Sequence, residues 1–270
     1  MTSLSITLIG AGNMGAALVG GWLKASDALT LTLVDPGPSE RVTEWVDAGK
    51  VSLNPEPSLA DILVIAVKPQ IFGEVADSLQ HWIGPDTLVL SVMAGIQIDM
   101  LQKRLGTERV IRAIPNTPGL IGQGVTLLAA PKNANDADIA MARQLLEPLG
   151  VVEGPMEESR LSAGMAISAC SPAYVFLLAE AMAAAGEAEG LDPELAGRIA
   201  RQAIQGSAAL MASSDETFKE LRRAVTSPGG TTQAALDVLM DENGIPSLMR
   251  KAVKAAILRD RELARDIRET

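Results

Sequence analysis

The stretch Leu4 to Leu23, LSITLIGAGNMGAALVGGWL, constrains the fold more than any other part of the chain. Leu4, Ile6, Leu8 and Ile9 are apolar and partly β-branched, as expected of a strand buried in a parallel sheet. Gly10-Ala11-Gly12-Asn13-Met14-Gly15 follows, a complete G-x-G-x-x-G, and then a helix-like run from Ala16 to Lys24. In that setting each glycine has a task. Gly10 permits the tight turn out of the strand, and Gly12 lets a pyrophosphate approach the backbone. Gly15 lets the helix pack close to the strand. The free N–H groups and dipole of the first helical turn then favour negative charge. The stretch therefore points to dinucleotide binding.

The rest of the first half repeats the alternation. Leu29 to Val34 reads as a second strand and ends in Asp35, twenty residues after Gly15. An acid at that place commonly accepts from the adenosine ribose hydroxyls, which favours NAD; Ser39 and Arg41 stand close enough to hold a 2′-phosphate, so the choice between NAD and NADP stays open. Ser58 to Val67 ends in the buried-strand pattern ILVIAV and runs into Lys68-Pro69-Gln70. Leu88 to Val92, Val110 to Ile114, Val125 to Ala129 and Val151-Val152 read as further strands, with helix-like segments at 73–82, 98–105 and 136–149. This order predicts a Rossmann-type α/β fold with a doubly wound parallel sheet. From Glu157 onward no period-2 strand is evident, and five or six helices are expected. The predicted division is a dinucleotide-binding domain over 1–154 and an all-helical domain over 155–270. Asp192, followed by Pro193 and Glu194, is a strong helix start.

Composition narrows the chemistry. The 270 residues carry a net charge of −10, with one Tyr and three Phe, and no basic cluster interleaved with aromatics. Nucleic acid and anionic membranes are therefore not expected partners. Cys170 is the only cysteine and His81 the only histidine, so disulfides, His triads and His-rich metal sites are excluded and no metal is expected. A reducing cytoplasm fits this cysteine usage. His81 reads as a surface residue at a helix end, and Cys170 as a buried small hydrophobe. The uncharged run Leu161 to Ala179 reads as a buried helical stretch at a subunit interface.

A second motif lies in LRRAVTSPGGTTQAAL, residues 221–236. Ser227-Pro228-Gly229-Gly230-Thr231-Thr232 is small, polar and flexible, and a helix is expected to start near Gln233. Hydroxyls and unpaired N–H groups converging on a helix N-terminus suit a carboxylate.

Taken in order, Ile9–Gly15, Val67-Lys68-Pro69-Gln70, Ser91-Val-Met-Ala-Gly-Ile96, Arg112-Ala-Ile-Pro-Asn-Thr-Pro118 and Val225–Thr232 resemble the pyrroline-5-carboxylate reductases over nearly the whole chain. The resemblance implies a Rossmann domain followed by a helical domain that interlocks with its twin, in dimers and often decamers, with each active site drawn from two chains. It implies reduction of 1-pyrroline-5-carboxylate, a small cyclic imino acid, to proline by NADPH or NADH. Carried over by motif, Gly10, Gly12, Asn13, Met14 and Gly15 would cradle the pyrophosphate; Asp35 stays the ribose candidate. Val67, Lys68, Pro69, Ala94 and Gly95 would line the dinucleotide, and Asn116 would lie near the nicotinamide. Ser227, Gly229, Gly230 and Thr231 would receive the substrate carboxylate, with Thr232 placing its hydroxyl at the ring nitrogen as the catalytic residue. The chain departs from the family at Ser168-Ala169-Cys170-Ser171-Pro172-Ala173-Tyr174, where two glycines usual to the family are Ala169 and Ser171, a change expected to narrow the pocket. A different cyclic imino acid, or a protein that binds nucleotide without turnover, are the alternatives. β-Hydroxyacid dehydrogenases share the layout but use a lysine in the helical domain, and no lysine occurs between Lys132 and Lys219.

Overall fold

The computed structural model describes residues 4–26 and 28–269, the side chains of 266–269 excepted. The chain divides into two compact units, Met1–Cys170 with Ala256–Thr270, and Ser171–Ala255.

The first unit is built on one eight-stranded sheet: β1 (Leu4–Ile9), β2 (Leu29–Val34), β3 (Ser52–Leu53), β4 (Ile62–Ile65), β5 (Leu88–Ser91), β6 (Val110–Ile114), β7 (Gly124–Ala129) and β8 (Gly150–Met156), in the order 3-2-1-4-5-6-7-8. α1 (Asn13–Ala25), α2 (Glu40–Asp47), α3 (Phe72–Leu79), α4 (Ile98–Leu105), α5 (Asp136–Leu146) and α6 (Glu158–Ser168) complete it. β1 lies between β2 and β4, so the strand order reverses there, which is where open α/β sheets bind ligands. Two apolar cores cover the two faces. Leu8, Leu18, Trp22, Leu33 and Val64 belong to one, and Ile9, Ile65, Phe72, Leu101 and Leu161 to the other. Alternate residues of β1 and β4 serve opposite faces, which is why their sequences are apolar throughout. The Trp22 indole N–H donates to the Leu145 carbonyl at 2.7 Å and ties α1 to α5.

Three expectations change. The sheet is not wholly parallel: β7 runs antiparallel to β6, and β8 is parallel to β7. Only residues 115–123, with a short 3₁₀ turn, join β6 to β7, too few for the crossover that a parallel pair requires. The strand expected over the ILVIAV run, Ile62–Val67, pairs only over Ile62–Ile65. The short helix α2 and the two-residue edge strand β3 were not foreseen.

The rest of the chain forms α7 (Ser171–Ala188), α8 (Pro193–Ala212), α9 (Phe218–Ala224), α10 (Thr231–Leu239) and α11 (Ile245–Glu269). α7 and α8 form a hairpin in which Gly186 admits Leu191 and Ala196. Asp192 caps α8 by accepting from the Leu195 N–H at 3.1 Å. Of the run Leu161–Ala179, expected to be buried at a subunit interface, Leu161, Ala166 and Ser168 are buried within the chain, whereas α7 has no buried residue, and Phe176 and Leu177 are 68% and 63% exposed. Residues 158–188 are long and apolar enough to cross a membrane by length and composition, although α6 and α7 are separate helices.

Candidate functional site

The turn between β1 and α1 is shaped by its glycines. Gly10 adopts φ +92° and donates its N–H to the Val34 carbonyl at 2.8 Å. A Cβ on Gly10 would lie 2.8 Å from the Ala66 carbonyl oxygen, and one on Gly15 would lie 2.1 Å from the Gly10 carbonyl oxygen. These two glycines are demanded by packing. Gly12 is not: a Cβ there would meet nothing within 4 Å. Gly12 is the exposed N-cap of α1, no side chain caps that helix, and no acid stands in its first turn. The helix begins at Asn13 rather than Ala16, so the amides of Asn13, Met14 and Gly15 open the helix with its positive dipole end. A backbone left bare where nothing in the protein needs the room fits a dinucleotide pyrophosphate.

At the end of β2, one Asp35 carboxylate oxygen accepts from the Ala11 N–H at 2.6 Å and the other from the Gly37 N–H at 2.8 Å. Asn54, at φ +49°, clamps the Asp35 backbone: its Oδ1 accepts from the Asp35 N–H and its Nδ2 donates to the Asp35 carbonyl, both at 2.9 Å. Sequence reasoning missed Asn54; the signal was an Asn, tolerant of left-handed backbone, in a Pro-flanked segment. Arg41, a candidate for a 2′-phosphate, stacks on Trp45 at 5.0 Å from the ring centroid. Its guanidinium also sits beside Gly20, where a Cβ would come within 2.7 Å of Nη2.

The remaining predicted nucleotide residues follow the carboxyl ends of β4, β5 and β6. Val67, half-buried, packs against Gly10, Lys68 is exposed, and Pro69 opens a 3₁₀ turn. Beyond β5, Ala94 is exposed and Gly95 is buried at φ +75°. Asn116 is buried and both ends of its amide are engaged: Oδ1 accepts from the Val125 N–H at 2.9 Å, and Nδ2 donates to the Ser168 carbonyl at 3.1 Å. Its side chain thus braces β7 and the end of α6. His81 is exposed in the middle of a 3₁₀ turn, Gln80–Trp82, and the Cys170 thiol lies 3.5 Å from the Met165 sulfur.

In the second unit, the loop from Ser227 to Gly230 leads into α10. Gly229 takes φ +70°, and the Gly230 N–H donates to the Ser227 carbonyl at 3.0 Å. α10 begins at Thr231, two residues before the expected start, with Gly230 as an N-cap that offers no side-chain bond and no acid in the first turn. Thr231 and Thr232 are therefore first-turn residues. Together with Ser227 they are exposed, and their hydroxyls bond to no other described residue. The loop brings hydroxyls and open amides to one helix end. Among the described residues no group of three or more His, Cys, Asp or Glu could hold a metal ion.

Comparison with known proteins places these two regions. The family model described as pyrroline-5-carboxylate reductase dimerisation matches residues 158–263, and one described as NADP oxidoreductase coenzyme F420-dependent matches residues 5–95. The pyrroline-5-carboxylate reductase of Pseudomonas aeruginosa is 38% identical over 99% of both chains. The chain belongs to the pyrroline-5-carboxylate reductase family. The family member from Escherichia coli is 33% identical over 96% of this chain and 98% of its own. The solved structure of a pyrroline-5-carboxylate reductase from Coxiella burnetii superposes with a TM-score of 0.87 at 30% identity, covering 97% of this chain and 98% of the other. The Plasmodium falciparum enzyme, solved with NADP bound, gives 0.80 at 28% identity, over 98% and 99%.

Proposed function

We propose that the chain reduces 1-pyrroline-5-carboxylate to proline with a reduced nicotinamide dinucleotide. The observation that carries this is the pair of uncapped, acid-free helix starts: α1, with bare Gly12, suited to a pyrophosphate, and α10, with three free hydroxyls, suited to a carboxylate. When bound, the reduced nicotinamide supplies the hydride. Gly10, Gly12, Asn13, Met14 and Gly15 hold the pyrophosphate, and Val67, Lys68, Pro69, Ala94 and Gly95 line the rest of the nucleotide. Asn116 acts there through the braced backbone rather than through its amide. Ser227, Gly229, Gly230 and Thr231 hold the substrate carboxylate, with a helix-dipole contribution of about 0.3–1 kcal/mol, rising to ~2 when partly buried. The Thr232 hydroxyl stands at the ring nitrogen, donating to it in the neutral imine and accepting from its N–H once the imine is protonated. A protonated cyclic imine is already electrophilic, so no strong acid is needed, and none is offered by exposed His81 or by Cys170 beside Met165. Holding donor and acceptor carbons in register accounts for roughly 7–11 kcal/mol of barrier lowering.

Two finer points belong to the same proposal. NADH is preferred to NADPH, because a carboxylate stands fixed at the end of β2 while Arg41 is turned onto Trp45. The working form is a homodimer, with decamers built from it, acting in the cytoplasm with each active site shared between two chains. The bare apolar surface of α7, inside the segment matched to the dimerisation model, supports this over membrane insertion.

The test is oxidation of NADH and of NADPH by the purified protein in the presence of 1-pyrroline-5-carboxylate. Turnover with either supports the assignment, and Thr232→Ala is expected to lower kcat by roughly 10²-fold or more with little change in KM. Tight nucleotide binding without turnover on this substrate would refute it.

A further inference from the structure

In the sheet-containing unit an open cavity of about 310 Å³ is bordered by Gly95 and Gln97 beyond β5, by β6, by the first turns of α6 and by the last turns of α11. Three arginines line it: Arg112, Arg261 and Arg265. The chain as a whole carries −10, so three guanidiniums around one small concavity stand out from their background.

Two acids, Glu158 and Asp260, also line it, which leaves the five ionised groups one positive charge in excess. Glu158 Oε1 accepts from Arg112 Nη1 and from the Ile98 N–H, both at 2.9 Å. Asp260 accepts from the Ser162 hydroxyl at 2.6 Å. Arg112 is 95% buried as a side chain, since its relative exposure is 5%, and its bond to Glu158 through Nη1 leaves the buried Nε without a hydrogen-bond partner. Arg261 and Arg265 have no ion-pair partner among the described residues. They stand one helical turn apart on α11, where like charges repel weakly, with Asp260 beside Arg261 in the same lining. The helix dipole favours cations at the end of α11, but it does not require two of them to border one cavity opposite a buried third.

We infer that this cavity is a binding site for a small multiply charged oxyanion, a phosphate or a polycarboxylate, distinct from the helix starts of α1 and α10. Arginine forks match both groups. The bound anion would neutralise Arg261 and Arg265 and fasten the last turns of α11 to the sheet.

The test is calorimetric titration of the full chain with inorganic phosphate and, separately, citrate, in the presence of saturating oxidised dinucleotide so that the pyrophosphate cradle is filled. One saturable site per chain is expected, and the anion that binds more tightly identifies the ligand class. In Arg261→Gln/Arg265→Gln, which alters exposed positions and keeps good helix formers, anion affinity falls at least tenfold. Dinucleotide affinity and kcat without added anion stay as in the wild type. Amide hydrogen exchange over 256–265 slows on anion addition in the wild type only. Three results would each overturn the proposal. They are absence of saturable binding by either anion, binding unchanged in the double variant, and a parallel loss of dinucleotide affinity, which would make the arginines part of the cofactor site.

Discussion

Gly12 and Gly15 lie three residues apart in one motif, yet the structure assigns their missing side chains to different causes, and alanine substitution separates them. At Gly12 the backbone angles, φ −64° and ψ −168°, are open to any residue, and a Cβ meets nothing within 4 Å. Gly12→Ala should therefore change folding stability by less than about 1 kcal/mol, a small N-cap penalty offset by a less flexible unfolded chain. The same methyl would stand where a pyrophosphate must approach the first-turn amides. Charge-assisted hydrogen bonds contribute roughly 1.5–3 kcal/mol each. Losing one or two of them weakens nucleotide binding by about 2–4 kcal/mol, or roughly 30- to 1000-fold. At Gly15 the Cβ would lie 2.1 Å from the Gly10 carbonyl oxygen, more than 1 Å inside the 3.4 Å at which ordinary contact begins. The obstacle is backbone, so α1 must move off β1. The expected cost is about 3 kcal/mol, equivalent to a Tm lower by roughly 6–12 °C. Thermal melts without nucleotide, paired with titration of NADH into each variant, read both effects. A Gly12→Ala protein that melts like Gly15→Ala, or that binds NADH as the wild type does, would refute the division of labour.

Asp35→Asn replaces a carboxylate that accepts from Ala11 and Gly37 with an amide, and it should raise the kcat/KM ratio of NADPH to NADH by about tenfold or more in steady-state kinetics. Asn116→Ala leaves the Val125 N–H and the Ser168 carbonyl without their partner, at about 1–3 kcal/mol for each group that stays dry, measurable as a lower denaturant midpoint. Asp61 accepts from both the Ser5 hydroxyl and the Ser5 N–H, which hold its carboxyl below the ordinary 3.8. A carboxyl lowered on folding stabilises above its unfolded value, and that contribution is lost as pH falls from about 4 through the folded pKa. Ser5→Ala should flatten this part of the stability–pH curve and leave the rest unchanged.

Local pattern carried most of the first unit. β1, β2, β6 and α4 fall where apolar runs and helical spacing put them, because their burial follows from neighbours the pattern already implies. What escaped lies outside apolar periodicity. β7 reverses direction because its connection from β6 is short. The two-residue strand β3 has no periodicity to read. Asn54 gains its role only when the chain brings it to the backbone of Asp35. The stacking of Arg41, a candidate for a 2′-phosphate, on Trp45 depends on α2, a helix too short to announce itself.

The second unit was legible as helices but not as buried ones, and the reason is physical. An α-helix apolar on every side is stable in water only when other surfaces enclose it. α7 satisfies its own backbone and packs on α8, yet Val175, Phe176, Leu177 and Leu178 remain more than 40% exposed. An extended apolar surface of this kind marks an interface in a soluble protein. A second copy of the chain offers the same helices, so each protomer can cover what the other leaves bare, and the isologous geometry closes after two. In the proposed dimer the helical unit is half of a core. A charge placed on α7 at Leu177 should convert dimer to monomer in sedimentation while leaving the sheet unit's nucleotide binding intact. A Leu177→Glu protein that stays dimeric with unchanged stability would show that α7 is not the surface that pairs.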